Sequence, residues 1–268
     1  MTQTIPFQEK FDLNQAQLAG VVQRAWSAGP DILVRLALVA KPDEPGAPEN
    51  QPASVVLRLP QGCIGGQNIT LLTGDHVLVN GYLADAPYIE SGQQFAERSR
   101  KDLLEAMPAL GAVTTERIST HLVVTALDFL PGAPSEPINA VTIEGVVSRA
   151  WEHRGQKFAR LAVYDSQTQA DGRIGKNGRP WRKAHYVSIH FADGQVDGRA
   201  VNVQKKDRLR VHGQLGERRY RETLAAFLLR AGQIGLLSDV PNADTVRETR
   251  VSRSATYVTA HALIQFSH

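Results

Sequence analysis

One module occurs twice in this chain, so whatever it folds into must be built twice. Gly145-Val146-Val147-Ser148-Arg149-Ala150-Trp151 repeats Gly20-Val21-Val22-Gln23-Arg24-Ala25-Trp26, with six identities in seven positions at an offset of 125. The offset continues without a gap. Arg35-Leu36-Ala37-Leu38 falls on Arg160-Leu161-Ala162-Val163, and Asn14 falls on Asn139. Self-similarity at a fixed spacing constrains any fold assignment before single elements do. The length of 268 residues agrees, since about 150 residues per domain gives two domains. Each is long enough to bury its own core. We place the copies at residues 13–130 and 137–268, joined by the Pro-rich stretch Phe129-Leu130-Pro131-Gly132-Ala133-Pro134-Ser135-Glu136-Pro137.

Apolar alternation predicts five strands in the first copy, over residues 17–22, 32–39, 54–59, 75–83 and 117–129, with a turn over 26–31. In the second of these, Ile32, Val34, Leu36 and Leu38 share one face, and Leu33, Arg35 and Ala37 the other. Residues 94–110 read as an amphipathic helix with Phe95, Leu103, Leu104 and Met107 on one side. The second copy repeats the order, with strands over 141–149, 157–164, 185–191, 207–215 and 255–266 and a short helix over 222–230. Residues 41–52 read as a Pro/Glu-rich loop and 165–184 as a long, Gly-rich, basic one. The expected fold is all-β: two tandem barrels of the oligonucleotide/oligosaccharide-binding (OB) type, each with a helical insert between its fourth and fifth strands. Alternation alone fits a pair of small sandwiches equally well.

Composition narrows the function classes. Cys63 is the only cysteine, which excludes an intramolecular disulfide and a multi-cysteine zinc site and suits a reducing cytosol. The first residues show no basic region followed by an apolar run, so no signal peptide is expected. No apolar stretch approaches the roughly 20 residues of a membrane helix. The eight histidines form no metal-ligand spacing, and His185 and His190, five apart on a strand, face opposite ways. Gly172-Arg173-Ile174-Gly175-Lys176 lacks the Ser or Thr that follows the Lys of a phosphate loop. No nucleophile elbow or paired-carboxylate motif is present. Neither an enzyme, a metal nor a cofactor is therefore expected. Charge is unevenly placed: residues 1–134 hold 9 Lys+Arg against 14 Asp+Glu (−5), and the remainder 21 against 13 (+8), summing to +3. A basic half points to an anionic partner for that half.

Several stretches of the second copy carry a resemblance. They are Asn139-Ala140-Val141-Thr142-Ile143-Glu144-Gly145-Val146-Val147, Phe158-Ala159-Arg160-Leu161-Ala162-Val163 and His185-Tyr186-Val187-Ser188-Ile189-His190-Phe191. The fourth-strand run 207–215 adds to them, followed by Gly216-Glu217-Arg218-Arg219-Tyr220. Together they resemble the bacterial single-stranded-DNA-binding protein family over about 80 residues. That family opens on an Asn-x-Val-x-Leu-x-Gly strand and places a Trp-His pair at the head of its third strand. Its fourth strand ends on Val-x-Gly-x-Leu, leading to a basic segment with an aromatic. Ala184 stands at the family's Trp position here, with Trp181 three residues earlier. The tandem pair is similar to the two-barrel form of the family, which dimerises to present four barrels. The resemblance implies single-stranded DNA as partner, a homo-oligomer (a homodimer), and a place in DNA replication, repair and recombination in the cytoplasm at the nucleoid. Leu263-Ile264-Gln265-Phe266-Ser267-His268 carries no acidic tail of the kind that recruits partner proteins in the family, so no such recruitment is expected.

Binding single strands without sequence preference takes cations along the phosphates and exposed aromatics for the bases. The second copy supplies both. Its long loop carries Arg173, Lys176, Arg179, Trp181, Arg182 and Lys183. Phe158, Arg160 and Tyr186 have outward parity on the second and third strands, the usual OB ligand face. Arg218, Arg219, Tyr220 and Arg221 follow the fourth strand, and Lys205, Lys206 and Arg208 add charge beside it. Trp151 and Trp26 end the first strands as packing or stacking residues, and Arg149 and Arg24 beside them suit phosphates, since an unpaired Arg is rarely fully buried. The first copy offers only Arg35 and Arg58 besides, with no outward aromatic and a net-negative long loop. It therefore reads as the assembly copy, whose exposed aliphatics suit a protein interface. Two alternatives stay open: an RNA-binding protein, and a tandem scaffold that binds only protein.

Overall fold

The computed structural model describes residues 11–38, 54–100, 102–153, 155–166, 170–174, 180–238 and 243–266. Ten strands carry it. The first copy contributes β1 (Asn14–Ala28), β2 (Asp31–Leu38), β3 (Ser54–Leu59), β4 (His76–Ser91) and β5 (Thr114–Leu130). The second contributes β6 (Asn139–His153), β7 (Gln156–Val163), β8 (His185–Phe191), β9 (Arg208–Thr223) and β10 (Arg250–Phe266). In the first copy β1 pairs with β2 and β4, β2 with β3, β3 with β5, and β5 with β4, which closes a ring. The β3–β5 contact is parallel. The second copy closes in the same order, with β8 and β10 parallel. This is the closed Greek-key order of the OB barrel.

Closure rests on small devices that occur in both copies. Asn14 donates through Nδ2 to Leu83 O and accepts from Leu83 N, both at 2.9 Å. Asn139 does the same with Leu215, at 2.9 and 2.8 Å. A Cβ at Gly81 would lie 2.1 Å from Val123 O, and one at Gly213 would lie 2.0 Å from Thr259 O. Only glycine lets these two backbones approach so closely.

The barrels share one compact unit, residues 1–84, 121–216 and 257–268, and one continuous apolar core. They meet through antiparallel pairing of β1 with β6, from Asn14↔Ile143 to Leu18↔Asn139, centred on Ala16↔Val141. Under the offset of 125, each end of that pairing maps onto the other, so the contact has the symmetry of an isologous dimer inside one chain.

The outer segments of β4, β5, β9 and β10 belong with the helices to a second compact unit, residues 85–120 and 217–256. The single helix expected over 94–110 is divided into α1 (Gly92–Ser99), α2 (Leu103–Ala106) and a 3₁₀ turn Pro108–Ala112. Arg100, in extended conformation, ends α1. A stretch of Ser99, Arg100, Lys101 and Asp102 offers no apolar side chain to hold a continuous helix on the core. Ser91 and Gln94 form a capping box at the start of α1. Thr223 caps α3 (Leu224–Arg230) at the equivalent position, and α4 (Ala243–Arg247) lies beyond the expected elements. Phe95, Leu103, Met107 and Leu110 pack with Phe227 and Leu228.

Polar groups inside this unit are paired twice over. Glu90, Glu222, Arg117 and Arg253 are all buried. Arg253 donates to Glu90 at 2.7 and 3.0 Å and to Glu222 at 3.0 Å. Arg117 bridges the same two glutamates. Each Arg also lies over the other copy's phenylalanine, Arg117 over Phe227 at 5.8 Å and Arg253 over Phe95 at 5.7 Å. Among the described residues, no helix is long and apolar enough to cross a membrane.

Removing one member of such a ring strands buried charge. Glu222→Ala is expected to cost about 3–5 kcal/mol in urea denaturation. Arg98→Ala, which removes an exposed partner of Glu90, is expected to cost under about 1 kcal/mol. Similar losses for the two variants would show that the ring is not a unit.

Candidate nucleic-acid interface

A β-bulge decides which residues face outward. Along β6, Val141, Ile143 and Val147 are buried in the barrel. The register with β7 then shifts between Val147 and Arg149, leaving Ser148 as an extra residue. One extra residue reverses the facing of everything after it. Arg149 and Trp151 therefore join the outer face, opposite Arg160 and Phe158. Ser148 Oγ donates to Arg160 O at 2.8 Å and closes the bulge. The first copy shifts in the same way between Val22 and Arg24, setting Arg24 and Trp26 opposite Arg35 and Leu33.

On the second barrel this face carries a row of rings. Trp151 stacks on Phe158 (centroids 5.4 Å apart), Phe158 on His190 (5.0 Å), and His190 meets Tyr257 edge-on (5.3 Å). The row crosses β6, β7, β8 and β10 and reaches β9 at Gly216, where a Cβ would come within 2.8 Å of the Tyr257 ring. Phe158, which the sequence places on the open face, is buried there between Trp151 and His190. It acts as the spacer of the row, and the more exposed Trp151 and Tyr257 are its ends. A pocket of about 230 Å³ opens beside Trp151, lined by Phe158, Phe191 and Val201 to Val203.

Cations flank the row. Arg149 lies 5.6 Å from the Trp151 ring centroid and Arg160 4.8 Å from that of Tyr186, both within cation–π range. Lys183, Lys205 and Lys206 are exposed. Lys206 N donates to Val147 O at 2.8 Å, which brings the lysine turn to the bulge. Lys206 adopts φ +83 where the first copy has Gly74 at +97, a conformation that a non-glycine residue holds at a cost.

The basic segment 165–184, expected as a loop, contains two paired strands, Ala170–Ile174 and Pro180–Arg182. Arg173 lies on the first and Trp181 and Arg182 on the second; Lys176 and Arg179 fall outside the described residues. Arg182 lies 5.0 Å over the ring of Phe11. The chain beside Phe11 also fastens the root of the arm: Tyr164 N donates to Asp12 Oδ2 at 2.8 Å, and Asn14 Nδ2 donates to Asp165.

Arg208 is committed elsewhere. It bridges Asp12 and Glu144, and Arg210 holds the other oxygen of Glu144 at 2.7 Å. Burial pushes the Asp12 carboxyl up, against the Tyr164 N–H and the Arg208 charge. Glu144, despite its own desolvation, is held below the usual carboxylate range by hydrogen bonds from Arg210 and Arg208. Arg218, Arg219, Tyr220 and Arg221 are the outer part of β9 itself rather than a segment after it, and they belong to the second compact unit. Arg219 lies 3.8 Å from Glu217, and Tyr220 and Arg221 are exposed.

The first barrel keeps the frame and loses the rings. Arg24 lies 5.7 Å from the Trp26 ring, and Arg35 is exposed. Phe158, His190 and Tyr257 correspond to Leu33, Arg58 and His121. Arg58 is paired with Asp31 at 2.6 Å. Sequence reasoning did not assign His190, Tyr257 or Phe11 to this face. Outward parity on the third and fifth strands marks the first two, while Phe11 precedes any patterned element and gives no sequence signal.

Solved structures share this architecture. A deletion and point variant of the single-stranded DNA binding protein from Thermus aquaticus matches with a TM-score of 0.52 and 16% identity, over 96% of this chain and 96% of that one. The wild-type protein of that organism matches at 0.50 and 15%, over 97% and 95%. This chain has the single-stranded-DNA-binding-protein fold. No family model matches it, and no curated protein does. Among the described residues, no group of three or more His, Cys, Asp or Glu is placed to hold a metal ion.

His121, which stands where the second barrel has Tyr257, is a titratable marker of the first face. Burial and then the Arg58 charge lower its pKa from 6.5 to about 4. A base harder to protonate when folded gives stability that is full above about pH 6.5 and is lost as the pH falls through about 4. The fall is expected to reach up to roughly 3 kcal/mol. His121→Gln should remove that part of the slope in urea melts between pH 7 and 4; an unchanged slope would mean that the ring is protonated freely in the native state.

Proposed function

We propose that this protein binds single-stranded DNA with little sequence preference, and that the second barrel supplies most of the affinity. The observation that carries the reading is the row Trp151, Phe158, His190 and Tyr257, with Arg149 and Arg160 beside it. The part-exposed rings of this row, Trp151 and Tyr257 at its ends, offer π surface to unpaired bases, and each stacked base contributes about 1–3 kcal/mol. Cations track the phosphates without reading sequence. Arg182 and Lys183 at the foot of the arm, and Lys205 and Lys206 at the bulge, extend the cationic track; the sequence adds Arg173, Lys176 and Arg179 as further phosphate candidates and Trp181 as a further ring. Paired bases are hidden inside a duplex, so the row favours unpaired strands. The role that follows is binding rather than catalysis: coating and protecting single strands exposed in replication, repair or recombination, at the nucleoid. The solved proteins that share the fold are named for single-stranded DNA binding, which supports the same reading.

The duplication permits a like-for-like test. Arg149 and Arg160 are the equivalents of Arg24 and Arg35. Arg149→Gln with Arg160→Gln is expected to weaken binding to labelled oligo-dT and to flatten the dependence of log K on log salt by about 0.7 per lost contact. Arg24→Gln with Arg35→Gln is expected to do much less. Equal losses would put the two barrels on a par, and equal wild-type affinity for oligo-dT and blunt duplex would sink the single-strand reading. Oligo-U in parallel reads the RNA alternative, because an OB face accepts either backbone.

The first copy then serves assembly, as a homodimer. In the second compact unit it exposes Ile89 (63%) and Ile118 (55%), where the second copy has Arg221 and Ser254. Exposed aliphatics at matched positions support a protein partner for one copy and an anion for the other. Ile89→Arg with Ile118→Ser transfers the second copy's residues. Light scattering should then show a shift from dimer to monomer; a wild-type protein that is already monomeric would overturn the assembly role.

A further inference from the structure

Tyr82 brings an aromatic ring of the first barrel to the second. It lies on β4 between Gly81 and the buried Leu83, half-exposed, with its ring centroid 6.2 Å from that of His185, the first residue of β8. The contact occurs once: the position equivalent to Tyr82 in the second copy is Gln214. It is therefore no relic of the two-fold that relates the barrels. His185 follows Arg182, Lys183 and Ala184 at the base of the basic arm and precedes Tyr186, the ring under Arg160. Arg58, opposite Leu33 on the outer face of the first barrel, is close enough for its charge to act on Tyr82. Burial raises the Tyr82 phenol, with the Asp165 charge acting the same way and the Arg58 charge opposing it. Tyr82 thus lies within the field both of Asp165 at the arm root and of the first barrel's Arg58.

We propose that Tyr82 is a base-stacking residue that, with His185, carries a single strand from the base of the second barrel's arm onto the outer face of the first barrel. The inference rests on the single-strand reading above and adds a position to it, on the copy otherwise assigned to assembly. A half-exposed ring against His185, which follows the exposed Lys183 by two residues, suits the pairing of aromatic and cation that sequence-tolerant binding uses. The crossing makes the bound length greater than one barrel can hold, and it gives Arg58 and Arg35 a strand to meet.

Photocrosslinking of the full-length wild-type protein tests this directly. An oligo-dT of about 30 nucleotides, long enough for two barrels, carries 5-iododeoxyuridine at successive positions, and one of about 8 fits a single barrel. Adducts of the longer strand are expected on the peptide containing Tyr82. Tyr82→Ala should lower affinity for the longer strand about tenfold with the salt slope unchanged, since a stack carries no counterion release. It should leave the shorter strand unaffected, and Tyr82→Phe should bind as wild type. Strands that bind with adducts confined to the second barrel would overturn the Tyr82 crossing and leave the single-strand reading standing. Failure of the wild-type protein to bind either strand would overturn both.

Discussion

The edge of β1 is the constraint on which the rest of this structure depends. Gly20 to Ala28 pair with β2 along one edge, but residues 14–18 of the same edge have no partner within their own barrel. Five backbone positions facing nothing would leave donors and acceptors unpaired or form an adhesive strand edge. The second copy has the same open edge at residues 139–143, and the two fill each other around Ala16 and Val141. This explains why the barrels share one core. It also explains why both opening asparagines survive: each ties the start of its first strand to its own fourth strand, at Leu83 and Leu215, and so holds the edge in register.

Symmetry in the frame coexists with asymmetry on the faces. The bulge is kept in both copies, and it delivers an Arg and a Trp to each outer face at the same place. Around that pair the surroundings diverge: the second barrel continues the row with rings, the first with Leu33, Arg58 and His121. The junction is equally one-sided. Glu144, with Arg208 and Arg210, is matched in the first copy by Ala19, His76 and Leu78. The ionic cluster of Glu144, Arg208, Arg210 and Asp12 thus fastens the arm root on the second barrel.

Much of the fold was legible in the sequence, because a repeat checks each strand against its twin. The alternation in residues 32–39 located β2 and its buried face, whereas the first strands, expected over 17–22 and 141–149, run over Asn14–Ala28 and Asn139–His153, and β1 takes in part of the turn expected over 26–31. The helical inserts were legible only as amphipathic pattern: the division of 94–110 turns on a short polar run whose effect depends on packing. The strands of the arm escaped notice because glycines and cations dominate 165–184, while pairing between them is a tertiary fact. On the face, parity placed Arg160 and Tyr186 together, and they are in contact. Parity could not show that Phe158 would be covered, since that takes the bulge at Ser148 to swing Trp151 over it. The same parity, carried to His190 and Tyr257, holds the rest of the row. Arg208 looked like a free cation because its carboxylate partners, Asp12 and Glu144, are 196 and 64 positions away in sequence.

Fusion of the two copies is what makes this asymmetry attainable. In an isologous dimer of identical chains, every substitution appears on both faces, so a change that adds rings to one also adds them to the other. With both copies in one chain, β1 and β6 can keep the self-complementary pairing while the residues facing outward vary independently. The buried ring of Glu90, Arg117, Glu222 and Arg253 obeys the first rule, since a loss at any of the four strands charge contributed by both copies. The outer faces obey the second. The conserved geometry of the interior and the unequal chemistry of the surface are thus two consequences of one covalent link, and Tyr82 at the seam, with Gln214 as its counterpart, is a place where the unequal surface turns back across the symmetric frame.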